Sequence, residues 1–179
     1  TYGFTMPSEI SLPTDTYANY QKWYFDLLKI PETWQDFETT GKNTVIAVID
    51  NGFDIDAYEF PQNLWTDSNG NHGWNAANDS ADISPVFKSD GTTFDNTNHG
   101  THVASIIGMP SNAFSAIGAA FNSEIMLLKV AEYVNDSTTP LMTDASIVKA
   151  IKNIEARTIL IFRNIFMGFC LCYKISKTY

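Results

Sequence analysis

Two short runs constrain this chain more than any other feature: Thr44-Val45-Ile46-Ala47-Val48-Ile49 and Ile125-Met126-Leu127-Leu128-Lys129-Val130. Each is nearly continuous in apolar residues instead of alternating, the pattern of a strand buried on both faces. Between them, Val103, Ala104, Ile106 and Ile107 fit a buried helix that opens at His99-Gly100 and stops at Gly108-Met109-Pro110. After the second run, Thr143 or Asp144 stands as an N-cap for Ile147, Val148, Ile151 and Ile154 at helical spacing. Strand, helix, strand, helix with buried strands predicts an α/β domain with a mostly parallel sheet flanked by helices.

Residues 1–20 are polar, hold Pro7 and Pro13, and read as an irregular lead-in. An amphipathic piece follows: Trp23-Tyr24-Phe25, Leu27, Leu28 and Ile30, then a helix start at Pro31 that puts Trp34 and Phe37 on one face. These aromatic residues are expected to anchor the core. Residues 53–98 read as a long polar loop, of a length that is uncommon in a compact domain unless it serves function.

At 179 residues and 44% hydrophobic, the chain is long enough for one domain with a substantial core. A net charge of −9 argues against nucleic acid as a partner, because phosphate binding needs clustered Lys and Arg. All 20 acidic residues lie before residue 157, whereas the remainder carries Arg157, Arg163, Lys174 and Lys177 and no acid. That composition break separates an aberrant apolar and basic tail, 157–179. Cys170 and Cys172 both fall in it, too close to bridge each other and too few for a zinc site. A membrane anchor there is disfavoured, since Arg163 and Asn164 interrupt the apolar run and 165–173 is too short to span a bilayer. The glycosylation sequons at Asn78 and Asn135 carry little weight. No signal segment opens the chain, and Thr1-Tyr2-Gly3 reads as an entry into the middle of something.

The first strand run ends at Asp50-Asn51-Gly52, and the helix opens at Asn98-His99-Gly100. In open α/β sheets chemistry gathers beyond the carboxyl ends of the strands, where Asp50 stands. A carboxylate held there can fix an imidazole in one tautomer and stabilise it when it takes a proton.

Val48-Ile49-Asp50-Asn51-Gly52 and Asn98-His99-Gly100-Thr101-His102-Val103-Ala104 resemble the Asp and His motifs of the subtilisin-like serine peptidases, the subtilases. The resemblance extends over roughly residues 16–156, with 21–156 as the N-terminal portion of the catalytic domain. It is carried further by residues 21–34, by Trp65 with Gly73-Trp74-Asn75, and by the segment from Gly118 to Val130. Phe121 and Ser105 depart from it, standing where the family usually has Pro and Gly. It implies a partial subtilisin-like, doubly wound fold, a hydrolase acting on polypeptides, and a secreted or extracytoplasmic location. It makes Asp50 the orienting acid and His99 the general base and acid. His102 is expected to be a buried, hydrogen-bonded structural histidine. No cofactor is implied for the chemistry. Calcium is implied only as a structural ion, with Glu59 and Asn112 where the family can place ligands, and the loop 132–140 falls where it lines one side of the peptide cleft.

A subtilase also needs a Ser nucleophile in a Gly-Thr-Ser motif and an Asn that donates to the oxyanion. This chain has neither: its Gly-Thr pairs, Gly91-Thr92 and Gly100-Thr101, are followed by Thr93 and His102. Substrate-binding residues are not identified. The pattern breaks after Ile154-Glu155-Ala156, where the charge also changes sign, and a reading-frame shift near Ala156 is the expectation; codon degeneracy allows Asn-Asn-Ile-Asn-Ile-Ser across 157–163 in another frame. The alternative is a truncated, non-catalytic binding or decoy protein or a relic. A half-sheet leaves an open edge and exposed apolar surface, so the isolated chain is expected to aggregate, and a monomeric product would count for the binding protein.

Overall fold

The computed structural model describes residues 13–36, 39–88, 91–92, 97–132, 141–157, 161–162 and 171–176, with only the backbone for the residues from 155 onward. Helices α1 (Ala18–Leu27) and α2 (Ile30–Asp36) precede β1 (Thr44–Asp50); β2 (Gly73–Asn75), α3 (His99–Gly108) and β3 (Glu124–Lys129) follow. The short strands β4 (Ala131–Glu132) and β5 (Leu141–Met142) pair with each other before α4 (Asp144–Arg157), β6 (Ile161–Phe162) and β7 (Leu171–Ser176).

Among the described residues the main sheet has five strands in the order β2-β3-β1-β7-β6. β1 runs parallel to β3, from Val45 opposite Glu124 to Asp50 opposite Lys129, and β2 runs parallel to β3. The expected parallel, doubly wound arrangement is therefore present around β1 and β3. On one face Val45, Ala47, Ile49, Met126, Leu128 and Val130 meet Ala150 and Ile154 of α4. On the other, Val48, Ile125 and Leu127 pack with Phe53, Phe60 and Ala104 of α3. Two faces buried by two helices explain why both runs are apolar throughout instead of alternating.

The tail changes the sheet. β7 pairs antiparallel with β1, from Thr44 opposite Ser176 to Ile49 opposite Leu171, and β6 pairs antiparallel with β7. An open sheet edge was expected; the edge of β1 is instead occupied by residues of the same chain.

Several local expectations are corrected. Within the long loop, β2 forms, and Leu64 bridges Ile125. The described end of the lead-in is tied down at Asp15 and Thr16: the Asp15 carboxylate accepts from the Ser111 hydroxyl and from the N–H groups of Asn112 and Ala113, and Thr16 N–H donates to Phe114 O. Phe25 is buried and stacks edge-on with Trp34, which in turn meets Phe121. Trp23 is 72% exposed, so it does not anchor the core. In α3 the buried row is Gly100, Thr101, Ala104 and Gly108, while Ile106 is 60% exposed. Small residues face the sheet because they let the helix axis approach it closely.

α4 begins as the sequence implies. Thr143 Oγ1 accepts the N–H of Ser146 at 3.0 Å, and Ser146 Oγ donates to Val130 O at 2.9 Å, which fastens the cap to the end of β3. Ile154 is fully buried and Ile147 and Ile151 partly so, but Val148 is exposed. The loop residues 133–140 and Cys170 lie outside the described residues.

Candidate active site

Asp50 closes β1 and is only 3% exposed. Its Oδ1 accepts the N–H of the following Asn51 at 2.7 Å, a short turn made possible by the end of the strand. The His99 imidazole opens α3, and its Nδ1 lies 2.8 Å from Asp50 Oδ1 and 3.0 Å from Oδ2. A carboxylate accepts only, so the shared proton sits on Nδ1 and leaves Nε2 as the free basic nitrogen of the neutral ring. The His99 side chain is 47% exposed, so the pair has one buried and one solvent-facing member.

Residues that the sequence reading did not single out hold the pair in place. Asn51 Oδ1 accepts the N–H of Gly100 at 3.1 Å, one of the first-turn donors of α3 that has no partner within the helix. Thr101, buried in the next position, accepts the N–H of Asp54 on its Oγ1 at 3.0 Å. Gly100 is required by contact: a Cβ there would lie 2.4 Å from Gly52 O and 2.9 Å from the Asp50 Cβ. The polar types at positions 51 and 101 were visible, but nothing in a sequence tells which backbone group such a side chain will reach.

Lys129 is the other charged group built into this end of the sheet. It is 6% exposed, stands opposite Asp50 in the β1–β3 register, and donates from Nζ to Ser84 O at 2.8 Å. Burial pushes its ammonium below the usual lysine value, and the carboxylates of Asp82 and Glu132 oppose that shift. A lysine inside an otherwise apolar buried run was the signal that could have found it.

His102 is exposed and not the buried structural histidine expected. It lies on the flank of α3 beside Gln21, Tyr24, Ser105 and Ile106, where it lines a groove against α1. The small residues Gly100, Thr101, Ala104 and Gly108 form the row that faces the sheet, and His102 falls outside that row. Glu59 and Asn112 are brought together, with Asn112 Nδ2 at 3.3 Å from Glu59 Oε1 and its Oδ1 accepting the N–H of Phe114. Among the described residues, no group of three or more His, Cys, Asp or Glu is placed to hold a metal. Two side chains that satisfy each other fall short of the six to eight oxygens calcium takes, so they do not by themselves fit that ion. Among the described residues, no helix is long and apolar enough to cross a membrane.

The doubly wound α/β sheet thus sets a buried aspartate under a helix-borne histidine at the carboxyl end of its first strand. Residues 41–162 match the model of the subtilase family, so the chain belongs to that family of peptidases. It is 30% identical over 119 residues to the minor extracellular protease Epr of Bacillus subtilis (strain 168), an alignment that takes in 66% of this chain and 15% of that protein. A solved protease structure from Pseudoalteromonas arctica superposes with a TM-score of 0.57 at 23% identity, over 79% of this chain and 43% of that one. The chain thus spans less than half the length of either relative.

Proposed function

We propose that Asp50 and His99 are the acid and base of an Asp-His-Ser triad for peptide-bond hydrolysis, present here in a chain that lacks the Ser nucleophile and the oxyanion Asn. The observation that supports this most is the contact of 2.8 Å between His99 Nδ1 and a buried Asp50 carboxylate. In that arrangement Nε2 would take the proton of an attacking hydroxyl, and Asp50 would stabilise the imidazolium without itself being protonated. Polypeptides are the proposed substrates of the complete machinery, no cofactor enters the chemistry, and secretion is proposed on the strength of the extracellular relative.

The chain as it stands is proposed to be inactive. In subtilisin itself, removing the nucleophilic Ser lowers turnover by about 10⁶-fold, and no Ser in this sequence follows a Gly-Thr pair. The test is hydrolysis of a fluorogenic peptide panel, alongside labelling by a fluorophosphonate, which reacts with activated serines. Neither signal is expected above a blank; hydrolysis that disappears in His99→Ala would overturn the inactive reading. Sequencing the locus across the Ala156 codon tests the frame shift, since a shifted frame that restores a strand with Asn and Ser would place the nucleophile beyond it.

A further inference from the structure

Three consecutive carbonyls, those of Asp82, Ile83 and Ser84, are each taken by a donor from a different part of the fold. Asn75 Nδ2, at the end of β2, donates to Asp82 O at 3.0 Å. The N–H of Phe53, in the turn after β1, donates to Ile83 O at 2.8 Å. Lys129 Nζ, at the end of β3, donates to Ser84 O at 2.8 Å. This short segment is therefore a brace, pinned at successive residues to β2, to the turn after β1 and to β3.

The brace backs the Asp50-Asn51-Gly52 turn directly. Gly52 adopts φ +143°, and a Cβ there would lie 2.8 Å from Ser84 O and 2.9 Å from Pro85 Cα. The carbonyl that Lys129 grips is thus the atom against which the turn rests. The register places Lys129 beside Asp50, and residues opposite each other in a sheet share a face. That face is the one on which Ile46, Val48, Ile125 and Leu127 meet α3. A neutral donor would satisfy Ser84 O at less desolvation cost than a buried ammonium, so the choice of lysine calls for a reason beyond pairing one carbonyl. Its long stem carries the ammonium from the strand to the loop, and the charge-assisted bond it makes there is stronger than a neutral one.

We propose that Lys129 is a positioning residue for the Asp50–His99 pair, acting through the 82–85 segment. Its bond to Ser84 O fixes the wall behind Gly52, and the turn against that wall sets both the Asp50 carboxylate under His99 and the Asn51 amide oxygen under Gly100. Only the word catalytic, applied to that pair, rests on the peptidase reading; the positioning does not.

The test reads the pair itself and not turnover. In the full chain labelled with ¹⁵N-histidine, the Nδ1–H of His99 held by a carboxylate gives a far-downfield proton resonance, assigned by its loss in His99→Gln. Lys129→Met, which keeps the stem and removes donor and charge, is expected to remain folded by circular dichroism and to lose or broaden that resonance; Lys129→Arg is expected to restore it. A folded Lys129→Met with the resonance unchanged overturns the inference. Should Lys129→Met fail to fold, Lys129→Leu, which likewise has no donor, takes its place under the same criterion. A wild-type spectrum without the resonance fails the Asp50–His99 pair, and this inference with it, whereas a wild-type resonance that survives in the variants fails Lys129 alone.

Discussion

The side-chain oxygen of Asn51 accepts the backbone N–H of Gly100 at 3.1 Å, one residue along from each member of the Asp50–His99 pair. Strand end and helix start are thus joined twice, by a charge-capable bond between side chains and by a neutral bond from side chain to backbone. The second bond needs no ionisation. Both rest on buried groups, because Asp50, Asn51 and Gly100 are all shielded from water.

Removing the neutral bond leaves a buried N–H at the first turn of α3 without its acceptor. Asn51→Ala is expected to destabilise the fold by about 1–3 kcal/mol, the penalty for an unsatisfied buried donor. Urea unfolding followed by tryptophan fluorescence measures it, and a change below about 0.5 kcal/mol would show that water or another group replaces the oxygen.

Gly100→Ala tests the closeness of helix and strand. The added Cβ would sit 2.4 Å from the backbone oxygen of Gly52, and a backbone atom cannot swing aside. A loss of about 1–3 kcal/mol is expected from overpacking, together with a change in the His99 side-chain resonances. Unchanged stability would mean that α3 slides along the sheet without resistance.

The lowered pKa of Lys129 has a definite sign in stability. Between its lowered value in the fold and the ordinary 10.5, the unfolded chain holds the proton that the folded chain has released. Stability contributed by this group therefore rises with pH across that window, and below it the buried charge is a standing penalty. Thermal melts of wild type and Lys129→Met from neutral pH to about pH 10 should differ in slope, with the wild type gaining on the variant as pH rises. Parallel curves would contradict the shift.

At the start of α4, Thr143→Ala removes the acceptor for the Ser146 N–H. A loss of about 1 kcal/mol is expected, read by the same urea titration. Because Ser146 Oγ also bonds Val130 O, the double variant with Ser146→Ala should cost more than either single change but less than their sum.

How far the chain could be read without coordinates depended on what each residue had to signal. β1, β3, α3 and α4 were legible because continuous or helically spaced apolar residues report burial directly, and the parallel pairing of β1 with β3 agrees with the mostly parallel sheet that their alternation with helices predicted. β2 was not legible: its three residues lie in polar sequence and are held by pairing with β3, not by a pattern of their own. Trp23, Ile106 and His102 were assigned to the interior and lie at the surface, because a period says how often a face recurs but not which face meets the sheet. In α3 that face is chosen by Gly100, Thr101, Ala104 and Gly108, residues whose importance lies in being small. Asp50 and His99 were found by motif, and their contact was inferred from strand end and helix start. The groups that set the contact, Asn51, Thr101 and Lys129, act on backbone atoms far away in sequence, and no local pattern names those partners.

The antiparallel strand on β1 makes the sheet a choice between closure and growth. A parallel βα unit extending this sheet on the side of β1 would have to pair with the same backbone groups that β7 now engages from Thr44 to Ile49. Such an extension would begin by strand exchange, with one ladder dissolving as the other zips in. β7 thus behaves as a placeholder, keeping the hydrogen-bonding edge of β1 satisfied while it excludes any other strand from that edge.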